Sequence, residues 1–305
     1  MPGDARPGGP RPGEATGLPP GLRRQLYAAV QPALAGQLGS FRRLTARLPP
    51  TAGGRKVAVI GRAPGCGAST VAALLALAAQ GYTRNRVVVL DTNIDTARND
   101  PDGSGRRVAA LLGRGRGEAA PGRLPALLAV PDGEPVARSR VRVAATPGTV
   151  VPVLALPDDA TSFAPQTLAA ALDRLQLRAD LVVLDTPTSP DRPVFHAALH
   201  LVDHVLLVIP ADRFAPERLA AARDWLAAVP GPQRGHDVSV VLVAQTTLVP
   251  RWRPEDLPWT LLRRDGALAR GQLGRMSRRS MMAGLELVNR VSGPLGPVGR
   301  RESVR

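Results

Sequence analysis

The chain has 305 residues, 44% of them hydrophobic, enough apolar material for one large domain or two modest ones, which excludes disorder throughout. Its net charge of +15 is concentrated at the ends: residues 1–56 carry nine basic against two acidic side chains and residues 251–305 twelve against five, net +7 each, leaving +1 for 57–250. A nearly neutral middle excludes a domain that is basic throughout and assigns any attraction to nucleic acid or an anionic membrane surface to the termini.

Lys56 is the only lysine, so the arginine excess reflects a GC-rich coding background more than a functional choice. The single cysteine, Cys66, permits no internal disulfide and fits a reducing compartment. No apolar run approaches the roughly 18–20 residues of a spanning helix. The start "MPGDARPGGPRPGEATG" lacks the apolar stretch of a secretory signal. The expected location is cytoplasmic, with peripheral contact at a membrane as the furthest departure.

Residues 1–20, rich in Pro and Gly, are expected to form a disordered arm. In 21–49, Leu22, Leu26, Val30, Leu34, Leu38, Phe41, Leu44 and Leu48 recur every three or four positions, which predicts an amphipathic helical segment kinked at Pro32. Residues 50–56 read as a linker, and 57–292 as the main domain. Within it, β-rich runs alternate with helical ones: "KVAVIG", "STVAALLALAAQ", "RVVVLD", then after an Arg/Gly-rich region "VRVAA", "VPVLAL" and "PQTLAAALDRLQL". "DLVVLD", "FHAALHLV", "HVLLVIP", "PERLAAARDWLAAV" and "VSVVLVAQ" continue the pattern, and a helical stretch over 266–291 ends it. Such alternation predicts an α/β fold, a mostly parallel sheet flanked by helices on both faces. Residues 293–305 read as a disordered basic tail.

The stretch "GRAPGCGAST", Gly61–Thr70, lies between a strand and a helix, where a phosphate loop would sit. Such a loop works because backbone N–H groups, freed by glycines and backed by a helix N-terminus, converge on anionic oxygens. Gly65 and Gly67, with the helix opened by Ser69 and Thr70, suit that geometry; a ligand-free turn is the plainer alternative. Two further strand ends favour the loop: "VVVLDTN" ends at Asp91 and "DLVVLDTPTSP" at Asp185, carboxylates placed to hold Mg2+ or its waters. Other candidates have plainer readings beside the functional ones. Arg62 is a substitute cation or a surface residue, and Cys66 a reactive thiol or a small core residue. His196, His200 and His204 at i, i+4, i+8 would face one way on a helix, but "HVLLVIP" starts a strand at His204. Trp252 and Trp259 around "RPEDLP" read as a packing corner, and Arg275, Arg278 and Arg279 as a solvated face or phosphate contacts.

The three motifs, in order and spacing, resemble the MinD/ParA family of deviant Walker A (SIMIBI class) P-loop ATPases across roughly 55–292. The family loop reads K-G-G-x-G-K-[ST]-T. The resemblance therefore places Ala63 at the signature lysine, Ala68 at the phosphate lysine and Ser69 at the magnesium hydroxyl, with Thr70 after it. It places Asp91 and Asn93 on the family's D-x-D, Asp185 at the Walker B carboxylate and Gln245 at the adenine-contacting asparagine. It thus implies ATP contacts at Gly65, Cys66, Gly67, Ala68, Ser69, Thr70 and Gln245, and Mg2+ at Ser69, Asp91 and Asp185. Both lysines and the water-orienting carboxylate are replaced, by Ala63, Ala68 and Asn93. Because charge stabilisation and positioning supply most of phosphoryl-transfer catalysis, the expectation is a degenerate site, inactive or very slow. The expected role is a scaffold or regulatory partner of a larger complex, with a protein partner and a homodimer implied. Proteins of high-GC actinobacteria that resemble this one, with Pro-rich extensions, are associated with secretion or cell-envelope machinery. The alternative is a slow but genuine ATPase that positions DNA or a membrane-associated complex.

If the ends carry the polyanion affinity, binding to DNA or anionic vesicles falls steeply with salt and is largely lost when residues 1–50 and 293–305 are removed. A salt titration of both forms checks this, and undiminished binding by the trimmed protein contradicts it.

Overall fold

The computed structural model describes residues 54–63, 65–82, 86–92, 107–112, 151–155, 165–177, 179–186, 193–228, 237–246, 249, 251–270 and 275–292. The expected arm, the helical segment 21–49, the strand "VRVAA" and the tail 293–305 lie outside the described residues. Seven strands form one sheet: β1 (Arg55–Gly61), β2 (Val87–Asp91), β3 (Val153–Ala155), β4 (Leu181–Asp185), β5 (His204–Pro210), β6 (Asp237–Val243) and β7 (Trp259–Leu262). Their order is β3-β2-β4-β1-β5-β6-β7, and every neighbouring pair is parallel. Arg55 and Lys56, read as linker, are the first residues of β1.

The apolar runs follow from burial on both faces. Val57 and Val59 of β1, Val87 and Val89 of β2, and Leu181 and Val183 of β4 point into one core. Their neighbours Ala58, Ile60, Val88, Leu90, Val182 and Leu184 point into the other. A strand covered on both sides has no polar face, so it reads as a continuous hydrophobic run. On the first face lie α1 (Ala68–Tyr82), α2 (Arg107–Leu112) and α7 (Arg278–Val291), with Leu268 of the short α6 (Gly266–Ala269). On the second lie α3 (Pro165–Gln176), α4 (Pro193–Leu201) and α5 (Ala215–Ala228).

Helix α1, "ASTVAALLALAAQGY", has no polar stripe because it is enclosed between the sheet and α7. Gly284 of α7 permits the close approach: a Cβ there would stand 3.1 Å from both Ala78 Cβ and Leu74 Cδ1. The helix expected over 266–291 is two helices. Asp265 caps α6, accepting from the N–H groups of Ala267 and Leu268. Ser277 caps α7, accepting from Ser280 N–H. The same Asp265 accepts from Ser277 N–H at 2.8 Å and Ser280 Oγ at 2.6 Å, so one carboxylate ties both starts together. Burial alone would raise its pKa, but these hydrogen bonds overcome that and hold it at about 2. Strand β7, in the stretch read only as a tryptophan corner, and α2, in the Arg/Gly-rich region, are elements the periodicity did not announce.

His204 opens β5, away from the helix that holds His196 and His200, so the three do not share a helical face. It is buried with Nε2 3.1 Å from Ser239 Oγ, and Nδ1 has no partner among the described residues. Burial lowers its pKa from 6.5 to about 4, with Arg55 acting the same way and Asp237 against it. The unfolded chain binds this proton more tightly, so the stability is complete above about 6.5 and is lost as pH falls toward 4. Urea midpoints measured across that window should decline, and the decline should shrink in His204→Gln.

Candidate functional site

The loop after β1 is shaped by its glycines. Gly65 has φ +73° and Gly67 φ +97°, both in the left-handed region. At Gly67 a Cβ would also stand 3.3 Å from Val243 Cγ1, so backbone conformation and packing both select glycine there. Cys66 N–H donates to Ala63 C=O at 3.1 Å, and Val71 N–H to Gly67 C=O at 2.9 Å, which turns the chain straight into α1. Ala68, Ser69 and Thr70 form the first turn of that helix. The first N–H groups of a helix lack intrahelical acceptors, and the positive end of its dipole adds to their pull on anions. The built elements of an anion cradle are therefore present; Pro64 lies outside the described residues.

Beside the loop, Asp91 ends β2 and Asp185 ends β4, and the two are register partners in the parallel ladder. Asp185 also sits opposite Val59 of β1. A threonine follows each aspartate. Thr92 donates to Asp185 C=O through N–H at 3.0 Å and Oγ1 at 2.9 Å. Thr186 does the same to Val59 C=O, with Oγ1 at 2.9 Å. These buried threonines pin the strand ends, a role hidden in the repeated "VLDT" of both strands.

Both carboxylates are buried, Asp91 4% and Asp185 1% exposed. Burial pushes the pKa of Asp185 well up, the charge of Asp91 adds to the rise, and a hydrogen bond from Ser69 opposes it. Asp185 Oδ1 has no hydrogen-bond partner among the described residues. A hydroxyl and two carboxylates, one of them with an orphaned oxygen, are the hard oxygen donors Mg2+ takes, and Ser69, Asp91 and Asp185 fit that ion.

Among the described residues, the two basic side chains that flank the loop in sequence are engaged elsewhere. Ala63 packs against the first core and Ala68 is buried. Lys56 stands at the opposite end of β1 from the loop, its Nζ 3.4 Å from Gln176 Oε1. The Arg62 guanidinium lies over the Trp225 ring of α5, 5.5 Å from its centroid, on the sheet face opposite α1. Asn93 lies outside the described residues. Gln245, placed at the base by the resemblance, donates its side-chain amide to Gly65 C=O at 3.0 Å, linking the end of β6 to the loop. Cys66 is 1% exposed; burial pushes its thiol up against the lowering by backbone groups of Ala63, Ala68 and Arg62, so it is a protonated packing residue. Among the described residues no three His, Cys, Asp or Glu side chains form a metal-binding group. Arg275, Arg278 and Arg279 are exposed. No helix among the described residues is long and apolar enough to cross a membrane.

No protein-family model matches the chain, and no curated protein sequence matches it. Solved structures do. A ParA family ATPase from Chlorobium tepidum TLS superposes with TM-score 0.57 at 14% identity, covering 77% of this chain and 97% of that one. The cell division ATPase MinD of Pyrococcus furiosus gives 0.55 at 19%, covering 78% and 98%. The septum site-determining protein MinD of Pyrococcus horikoshii, complexed with Mg-ADP, gives 0.50 at 16%, covering 77% and 94%. The chain therefore has the P-loop NTPase-like α/β fold of these ParA and MinD structures.

The orphaned carboxylate has a measurable consequence. Asp185 holds its proton more tightly when folded, so its destabilising effect grows as pH rises above the unfolded value near 4 and persists beyond the folded value. Asp185→Asn should raise the urea midpoint at pH 7–8, with a smaller gain near pH 4, while weakening any Mg2+ binding. Unfolding curves at both pH values check this.

Proposed function

We propose that this chain is a MinD/ParA-like P-loop protein whose nucleotide site is degenerate, acting as a scaffold or regulatory partner in a larger protein complex. The observation that carries the reading is the apolar setting of Ala63 and Ala68. One is packed on the core and the other is buried at the start of α1. Neither supplies charge to a triphosphate, and the chain's one lysine is engaged at the far end of β1. The backbone cradle can still orient phosphate oxygens through N–H groups, and Ser69, Asp91 and Asp185 would hold Mg2+, which when bound would neutralise phosphate charge. Among the described residues none supplies charge at the transferring group, and position 93 is an asparagine in place of the carboxylate that would orient water, the two contributions on which the rate chiefly depends. Protein partners, a homodimer and contact of the basic ends with nucleic acid or an anionic membrane belong to the same reading, as does a place in secretion or cell-envelope machinery.

The second reading, a slow ATPase that positions DNA or a membrane-associated complex, is favoured by the intact oxygen donor set. It is also favoured by Mg-ADP in the Pyrococcus horikoshii MinD structure. Titration calorimetry with ATP and Mg2+, beside a turnover assay, separates the two. Wild type should turn over near background. Ala68→Lys should tighten ATP binding by about tenfold, the effect of one charge-assisted hydrogen bond. Adding Ala63→Lys and Asn93→Asp should bring measurable hydrolysis. Robust Mg2+-dependent hydrolysis by wild type refutes the degenerate site; a folded triple variant that binds no ATP refutes the cradle.

A further inference from the structure

The stretch Gly61–Thr70 has a single basic residue, Arg62. Its backbone belongs to the frame of the loop: Arg62 N–H donates to Val208 C=O of β5 at 3.4 Å, and the carbonyl of the next residue, Ala63, accepts from Cys66 N–H. Arg62 is half-exposed, and its guanidinium makes no hydrogen bond or ion pair among the described residues. What it touches is the Trp225 ring. That indole is half-buried on α5 and packs on Phe195 of α4, with ring centroids 4.7 Å apart. One guanidinium thus joins the mouth of the loop to the helical layer on the sheet face opposite α1.

A contact of this kind is weak. A guanidinium on a half-exposed indole is worth about a two- to fivefold factor in an equilibrium, whereas a charge-assisted hydrogen bond to phosphate is worth about tenfold or more. Among the described residues no carboxylate holds the group back, and an arginine re-aims by rotamer changes alone while its backbone stays in place. Asp185, 1% exposed with Oδ1 unpartnered among the described residues, marks beside the loop the place of the cation that accompanies a phosphate. A phosphate seated there outcompetes the indole for Arg62.

We infer that Arg62 is a two-position cation, stacked on Trp225 as seen here and drawn onto the oxygens of a di- or triphosphate when one binds the loop. The inference rests on the cradle of the proposed function and adds its regulation. Departure of the guanidinium frees the Trp225 ring and changes what α5 presents beside α4, so phosphate occupancy is read on the sheet face opposite α1. Arg62 supplies affinity; Ala68 and Asn93 still withhold what the rate needs.

The probe is pyrophosphate with Mg2+, titrated into the full chain by calorimetry. Arg62→Gln should weaken its binding about fivefold. Trp225→Leu removes the same contact yet should tighten binding about threefold, because the cation is no longer shared with the indole. In the Arg62→Gln background Trp225→Leu should have no further effect. A merely structural contact would give both variants the same sign. Pyrophosphate should also produce a saturable change in wild-type tryptophan emission that is lost in Arg62→Gln, a readout that needs no substitution at Trp225. Unchanged affinity in Arg62→Gln, or weaker binding in Trp225→Leu, overturns the inference alone. Neither heat nor an emission change with wild type overturns the cradle and the inference together.

Discussion

Two carboxylates held side by side in a dry place are the constraint around which this molecule is arranged. The parallel pairing of β2 with β4 runs from Val87 opposite Leu181 to Asp91 opposite Asp185. Neighbouring strands are about 4.8 Å apart, and two unit charges about 5 Å apart repel by roughly 3 kcal/mol at an effective dielectric near 20. The strands cannot slip to relieve that repulsion. A one-residue slip would exchange their two hydrophobic faces, and Thr92 and Thr186 fasten the ends to neighbouring carbonyls. The fold therefore maintains a site that favours a cation, and Ser69 at the start of α1 hydrogen-bonds to Asp185.

On the reading proposed above, the way that repulsion is relieved is what would set this chain apart from a competent phosphoryl-transfer site. A lysine at position 68 would bring a positive charge to the cradle whether or not nucleotide were bound. With alanine there, and Arg62 laid on Trp225, the described residues offer relief through a proton on Asp185 or through an added ion. On the proposed reading, this makes metal and phosphate mutually dependent: each would neutralise what the other brings. Affinity can survive on those terms. Rate suffers more, because charge must be stabilised where it develops.

The position of the loop after β1 also depends on distant parts of the chain. Helix α1 is buried on all sides, so its start is only as fixed as the layer over it, and Gly284 lets α7 press against Leu74 and Ala78. Helix α7 is in turn anchored at its start by Asp265 through Ser277 and Ser280, and at its end by hydrogen bonds from Arg290 to Trp259 C=O and from Arg55 to Val291 C=O. The C-terminal elements thus hold the helix that opens at the loop.

The sequence by itself determined the alternation of strands and helices, the loop and the two aspartates. Double-sided burial writes itself as unbroken apolar runs, and the turn after β1 needs glycine where φ is positive, as at Gly65 and Gly67. It also determined which charges are absent, since a missing lysine is a fact of composition. Only the tertiary structure decided where the remaining groups point. Arg62 lies one residue from the signature position, yet stacks on a helix of the other layer. Gln245 reaches the loop's carbonyl. The threonines after each aspartate act through neighbouring strands, Thr92 on β4 and Thr186 on β1. β7 is four residues long and, among the described residues, pairs with β6 alone, so it depends on that pairing and on α7 packed on it, neither of which local periodicity can express. Side-chain direction and long-range pairing are properties of the assembled sheet, and a one-dimensional pattern contains the demand for burial without saying which neighbour meets it.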